Sequence, residues 1–250
     1  MLTVSHISKT FNPGTVNEKC AIRDLSLHLD PGDFVTIIGA NGAGKSTLFN
    51  AIAGSFYTDS GSIVLDGRDI TFLPEYKRAK IIGRLFQDPM LGSAPGMTIE
   101  ENLALAAGAG GWLSHVTRAE KDAFRERLAL LDMGLENRMK QPVGLLSGGQ
   151  RQALTLMMAT MADPKLLLLD EPAAGMNPHE TEELMENIAK IRNQFKIAIL
   201  LIEHDMSLVM GVCEGICVLN FGKVIAKGTA DEIQANPAVI EAYLGKKKEG

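Results

Sequence analysis

Phe34-Val35-Thr36-Ile37-Ile38-Gly39-Ala40-Asn41-Gly42-Ala43-Gly44-Lys45-Ser46-Thr47 is the stretch on which the fold turns. Its first five residues are a short β-rich run, entered through the turn Asp30-Pro31-Gly32-Asp33. The next nine fit GxxxxGK[ST], a loop that cradles phosphate groups. Phosphate oxygens need several donors converging on a small volume, and Gly39, Gly42 and Gly44 let backbone N–H groups turn inward where side chains would obstruct them. Ser46 to Ala53 reads as a helix ended by Gly54, with its positive end toward the phosphates. Strand, loop and helix together assign Gly39 to Thr47, with Asn41 and Ala43 inside the loop, to nucleotide binding. Lys45 is expected to bridge the β- and γ-phosphates of ATP, and Ser46 to ligate Mg2+.

Outward from the loop the chain alternates in character. Ile22, Leu25, Leu27 and Leu29, set among polar residues, predict strands before it. Gly61 to Arg68 predicts an antiparallel strand with an Asp66-Gly67 turn. A further strand over Ile81 to Phe86 leads into helical sequence. Thr98-Ile99-Glu100-Glu101 and Thr117-Arg118-Ala119-Glu120 each fit a capping box, with Gly108-Ala109-Gly110-Gly111 breaking the two helices apart. The α/β pattern then returns: a helix from Gln150, a strand from Lys165 to Leu169, a helix after Pro178 and a strand from Lys196 to Ile202.

Leu166-Leu167-Leu168-Leu169-Asp170-Glu171 sets two carboxylates at the end of a strand apolar on both faces, which suits the centre of a parallel sheet. Consecutive strand residues point opposite ways, so the two acids can serve different roles. Asp170 is expected to hold Mg2+, and Glu171 to orient the attacking water or accept its proton. A second glycine-rich segment, Leu146-Ser147-Gly148-Gly149-Gln150, opens another helix as the capping box S-x-x-Q. Glycines cost a helix roughly 1 kcal/mol each relative to alanine. What Gly148 and Gly149 offer is exposed N–H at a positive helix end, a surface suited to a γ-phosphate.

LSGGQ matches letter for letter the signature of ATP-binding-cassette (ABC) ATPases, and the chain resembles that family along most of its length. The resemblance implies an α/β fold with a P-loop NTPase (RecA-like) core, an antiparallel β subdomain and an inserted α-helical subdomain. Residues 1–87 and 151–250 would form the core with its β subdomain, and 88–150 the helical signature subdomain, in one ABC ATPase domain. It also implies that Ser147, Gly148, Gly149 and Gln150 meet ATP bound to the opposite subunit of a head-to-tail dimer. Phe11 lies where the family places an aromatic ring on adenine. Gln87 resembles the Q-loop residue that contacts Mg2+ and senses the transporter, and His204 the switch histidine at the γ-phosphate. The chain departs from the family's usual Ser-Ala-Leu-Asp D-loop, reading Ala174-Gly175-Met176-Asn177; Asn177, Pro178 and Glu180 also make a good helix start.

Asp170 to Pro178, Ile202-Glu203-His204-Asp205-Met206 and Ile240 to Gly245 resemble ATPases of branched-chain amino acid importers. Phe86 to Pro89 and Ala94 to Leu103 resemble ATPases of tryptophan- or tyrosine-type importers. The implied function is an ATP-hydrolysing energy-coupling subunit of an amino-acid importer. Its expected partners are a second ATPase subunit, identical or homologous, integral membrane permeases and, indirectly, an extracytoplasmic solute-binding protein.

Bulk properties agree. Hydrophobic residues make up 46% and charged residues 22% of 250, an ordinary globular composition. A net charge of −5 argues against nucleic acid as a partner. The apolar runs fall far short of a membrane helix, and no signal peptide is evident at Met1 to His6, so a cytoplasmic location, peripheral to the inner membrane face through the permeases, is expected. Cys20, Cys213 and Cys217 lack CxxC spacing and are expected to be reduced. The tail Gly245 to Gly250, with its three lysines, is read as a solvated terminus. The competing classes are a soluble ABC ATPase of DNA repair or translation, disfavoured by the single cassette and the acidic balance, and a P-loop kinase, disfavoured by the signature.

Overall fold

A computed structural model describes residues 1–108, 116–204, 209 and 213–244. Ala109-Gly110-Gly111, Asp205-Met206 and the tail from Gly245 lie outside the described residues. In chain order the elements begin with β1 (Leu2–Phe11), β2 (Lys19–Leu29), β3 (Phe34–Ile38), α1 (Lys45–Ala53), β4 (Ser60–Leu65), β5 (Arg68–Asp69) and α2 (Glu75–Arg78). Next come β6 (Ile82–Leu85), α3 (Ile99–Ala107), α4 (Arg118–Ala129), α5 (Gly148–Ala159), β7 (Leu166–Asp170), α6 (Pro178–Phe195) and β8 (Ala198–Ile202). The chain finishes with β9 (Gly215–Asn220), β10 (Lys223–Gly228), α7 (Ala230–Gln234) and α8 (Pro237–Leu244).

The chain divides into two compact units, Met1–Ala79 with Ala198–Gly250, and Lys80–Ile197. The first carries an antiparallel sheet in the order β2-β1-β4-β5. Its Asp66-Gly67 turn has both residues at positive φ (52° and 75°), the twist that a two-residue hairpin requires. The same unit holds β10-β9-β3-β8, in which β3 runs parallel to both β8 and β9 and β10 is antiparallel to β9. Every residue of β8 is buried, as expected for a strand covered on both faces. Arg78 is wholly buried and closes the far end of α1. Its guanidinium donates to the carbonyls of Ala51 and Ile52 (2.8 and 2.9 Å), satisfying groups that a helix leaves orphaned, and to those of Thr71 and Leu73.

In the second unit β6 and β7 pair in parallel, ending at Leu85↔Leu169. Leu166 to Leu169 are fully buried, each contributing roughly 1.5–3 kcal/mol of gross stabilisation. The capping boxes at Thr98, Thr117, Ser147 and Asn177 all form, with Pro178 at the start of α6. Glu100, 6% exposed, receives Lys121 at 2.8 Å and Lys140 at 3.4 Å, which join α3 to α4 and to the chain before α5. Arg127 lies over the Phe195 ring at 5.0 Å and pairs with Asp163 at 2.9 Å. Several strand boundaries differ from expectation, among them β6, which runs Ile82–Leu85 rather than Ile81 to Phe86. Lys165 precedes β7, and Lys196 sits at positive φ (52°) as the C-cap of α6 rather than opening β8.

Candidate functional site

The phosphate loop belongs to the first unit. β3 ends at Ile38, and Gly39 turns with φ 155°; a Cβ there would stand 2.4 Å from the Leu219 carbonyl oxygen. Gly44 has φ 109°, and a Cβ on it would meet the Ala21 carbonyl oxygen at 2.8 Å. Both glycines are therefore required by this subunit's own backbone. The loop is braced from behind, since Gly222 donates N–H to the Ala43 carbonyl at 2.8 Å. Gly44 is also the N-cap of α1. It supplies no side-chain cap, and no acid occupies the first turn. The Leu48 N–H makes the first helical bond, to Gly44 at 2.9 Å, leaving the N–H groups of Lys45, Ser46 and Thr47 as the helix's orphan donors.

Lys45, 8% exposed, donates Nζ to the carbonyls of Gly39 and Ala40 at 2.7 and 3.4 Å. Those groups solvate its charge without neutralising it, and it makes no ion pair among the described residues. A buried ammonium before an uncapped positive helix end is a site for an anion. Asn41 and Ser46 are exposed at the rim and Thr47 is half-buried. Phe11, at the end of β1, stacks edge-on against Phe56 at 5.2 Å, with the Lys9 ammonium 5.7 Å from its ring. His204 follows β8 with its side chain 67% exposed, and its backbone N–H is bound at 3.0 Å by the buried Glu203 carboxylate.

The second unit holds the other assigned residues. Gln87, just past β6, donates Nε2 to Glu171 Oε2 at 3.3 Å. Asp170 ends β7, but Glu171 does not continue the strand. Its φ is +45°, a left-handed turn conformation, so strand alternation does not set its direction. That conformation is uncommon for a side-chain-bearing residue and costs of order 1–3 kcal/mol. Ser147 Oγ accepts the Gln150 N–H at 3.2 Å and Gln150 Oε1 accepts the Ser147 N–H at 3.3 Å. Neither Gly148 nor Gly149 has positive φ. A Cβ on Gly148 would meet nothing within 4 Å, and one on Gly149 only the Glu180 side chain at 3.7 Å. Nothing among the described residues requires glycine at either place.

Sequence reasoning missed Gln152. It sits on the buried face of α5, at 0% exposure, where the pattern alone gives an ordinary core position. Its only sequence signal is a polar residue ahead of the apolar stretch of α5. The group assigned to Mg2+, Ser46, Asp170 and Gln87, offers a hydroxyl, a carboxylate and an amide oxygen. Ser46 lies in the first unit and Asp170 and Gln87 in the second; each is a hard oxygen donor of the kind Mg2+ takes. No cluster of three His, Cys, Asp or Glu among the described residues could hold a metal ion unaided.

A strand running through a glycine loop into an uncapped helix, with a buried lysine at the turn, defines a P-loop nucleotide-binding protein. Comparison with known proteins narrows this. The ABC transporter family model matches residues 22–174, and that of the branched-chain amino acid ATP-binding cassette transporter matches residues 223–249. The chain is 40% identical over 228 residues to a tyrosine transport ATP-binding protein of Clostridioides difficile, covering 90% of each. It is 39% identical over 236 residues to the high-affinity branched-chain amino acid transport ATP-binding protein BraF of Pseudomonas aeruginosa, covering 90% of this chain and 92% of that one. A crystal structure of the ADP conformation of an ATP-binding cassette of an ABC transporter superposes with a TM-score of 0.83 at 27% identity, over 98% of this chain and 99% of that one. The chain belongs to the ABC transporter family and is one of its ATPases. No described helix is long and apolar enough to cross a membrane.

Proposed function

We propose that this subunit hydrolyses ATP to drive import of an amino acid through membrane permeases, as one of two ATPase subunits that close around two nucleotides. The observation that carries the ATP reading is the buried Lys45 ammonium, bound among the described residues by its own loop's carbonyls, ahead of the uncapped start of α1. The relatives' names support an amino-acid solute, branched-chain or aromatic; the three proteins compared are transport proteins, which favours transport over DNA repair or translation.

Gly39 to Thr47 bind the phosphates and Phe11 lies against the adenine. Ser46, Asp170 and Gln87 would hold Mg2+, which when bound offsets charge on the phosphate oxygens. Glu171 takes up the proton of the attacking water or orients it, and His204 contacts the γ-phosphate. Ser147, Gly148, Gly149 and Gln150 serve the nucleotide of the second subunit. Two glycines that no described residue of this subunit requires support close approach of a group from outside it. Residues 88–150 act as the signature-bearing helical part, 1–87 and 151–250 as the nucleotide-binding part, and the subunit works at the inner face of the membrane through its permeases. ATP does mechanical work because it binds the closed dimer better than the open one.

The test is reconstitution of the subunit with its cognate permease and binding protein in vesicles. ATP-dependent uptake of labelled leucine, isoleucine, valine or tyrosine is expected, and Glu171→Gln should abolish it. Uptake of none of them, with the complex assembled and ATP consumed, would overturn the amino-acid assignment.

A further inference from the structure

The β6–β7 ladder ends at Leu85↔Leu169, two residues before Gln87 and Glu171. Beyond that point Gln152 fastens the two segments. Its Nε2 donates to the Phe86 carbonyl at 3.4 Å and to the Pro172 carbonyl at 3.0 Å. Phe86 immediately precedes Gln87, and Pro172 immediately follows Glu171. A side-chain amide carries two N–H hydrogens, so both bonds form at once; with an acceptor on either side, only its nitrogen can face them. The Gln87–Glu171 contact spans 84 residues of sequence at 3.3 Å, and this amide holds the backbone on both sides of it. The same helix opens with Ser147 to Gln150.

We propose that Gln152 is a positioning residue for ATP hydrolysis: from the buried face of α5 it sets the spacing of the Gln87 and Glu171 backbones, so that the signature helix, Gln87 and the water-orienting Glu171 are placed together. The inference rests on the roles proposed above for Gln87 and Glu171. A small displacement of a reacting group costs up to about a hundredfold in rate, whereas the phosphate loop is built from other residues. Gln152 should therefore govern turnover and leave nucleotide binding alone.

The experiment is steady-state ATPase of the full chain, expressed per nucleotide-binding subunit so that loss of folded protein does not register. Gln152→Met, which keeps the volume and removes both donors, is expected to lower kcat about ten- to hundredfold with KM for ATP within about twofold. In a Glu171→Gln background the same change should cost less than it does in the wild type, because one of the two residues it positions is already disabled. Gln152→Glu supplies a second readout should the Met variant not fold. Its ionised carboxylate faces two carbonyls, while its protonated form donates to one, so its turnover relative to wild type should climb as pH falls from about 8 to about 6. Wild-type kcat in Gln152→Met, an undiminished loss in the Glu171→Gln background, or a Gln152→Glu profile parallel to wild type would each overturn the proposal. If Glu171→Gln is inactive while Gln152→Met is fully active, this inference alone fails; if Glu171→Gln turns over normally, the underlying assignment fails with it.

Discussion

The two glycine-rich helix starts of this chain look alike in sequence and differ in what holds them. At the start of α1 the glycines answer to the subunit itself. Gly39 and Gly44 have positive φ, and a Cβ on either would run into a carbonyl oxygen of a neighbouring strand or its flank. The helix end is left without a side-chain cap, and a buried lysine stands before it. At the start of α5 the end is closed by Ser147 and Gln150, and Gly148 and Gly149 have ordinary backbone angles and room for a side chain. The glycines of the first are required by their own chain's backbone. The second keeps helix-weakening residues that no described residue of the chain requires, and the proposed function gives them a role at a neighbouring subunit's nucleotide.

That difference can be broken experimentally. The largest effect should come from Ser147→Arg, expected to lower turnover by about 10²–10³-fold, the scale of losing a charge-stabilising donor set, while the isolated subunit binds nucleotide normally. Weakened binding, followed by nucleotide titration, would move the signature into the subunit's own site. Lys45→Ala should do the opposite, weakening binding by the isolated subunit about ten- to hundredfold, the range for hydrogen bonds to a charged group. The glycine exchanges are smaller and opposite in sign. Gly44→Ala should destabilise by about 1–3 kcal/mol in denaturant unfolding. Gly149→Ala should stabilise by up to about 1 kcal/mol and yet slow turnover. A Gly149→Ala protein that is more stable and fully active would remove the reason given for that glycine.

The smallest effect is a control remote from either helix start. Burial pushes the Glu100 carboxyl up, but the hydrogen bond and charge of Lys121 and the charge of Lys140 outweigh it, and the net shift is downward from 4.5. A lowered carboxyl adds stability above its ordinary pKa and loses it as pH falls through the folded value. Glu100→Gln should therefore cost on the order of 1 kcal/mol at neutral pH and flatten the loss of stability below about pH 4.5, followed by thermal unfolding.

Features governed by neighbouring residues were legible in the sequence. Phe34–Ile38 forms a strand over the same five residues, and the capping boxes at Thr98, Thr117, Ser147 and Asn177 all close, because each needs only residues three apart. The LSGGQ resemblance led to the family that the comparisons establish. Less legible was whatever depends on chain folding back on itself. Gln87 and Glu171 meet across 84 residues, Arg78 reaches 27 residues back to α1, and Gln152 clips two segments from a position that reads as core. Strand alternation does not extend to Glu171, which lies beyond β7 in a left-handed conformation.

The most direct test is the solution mass of Glu171→Gln with ATP, by light scattering or sedimentation. The account predicts twice the single-chain mass, reverting to the single-chain mass when Ser147→Arg is added, with nucleotide still bound. A single-chain mass for Glu171→Gln at full ATP occupancy, or a dimer indifferent to Ser147→Arg, would contradict the claim that the α5 glycines serve a neighbouring subunit's nucleotide.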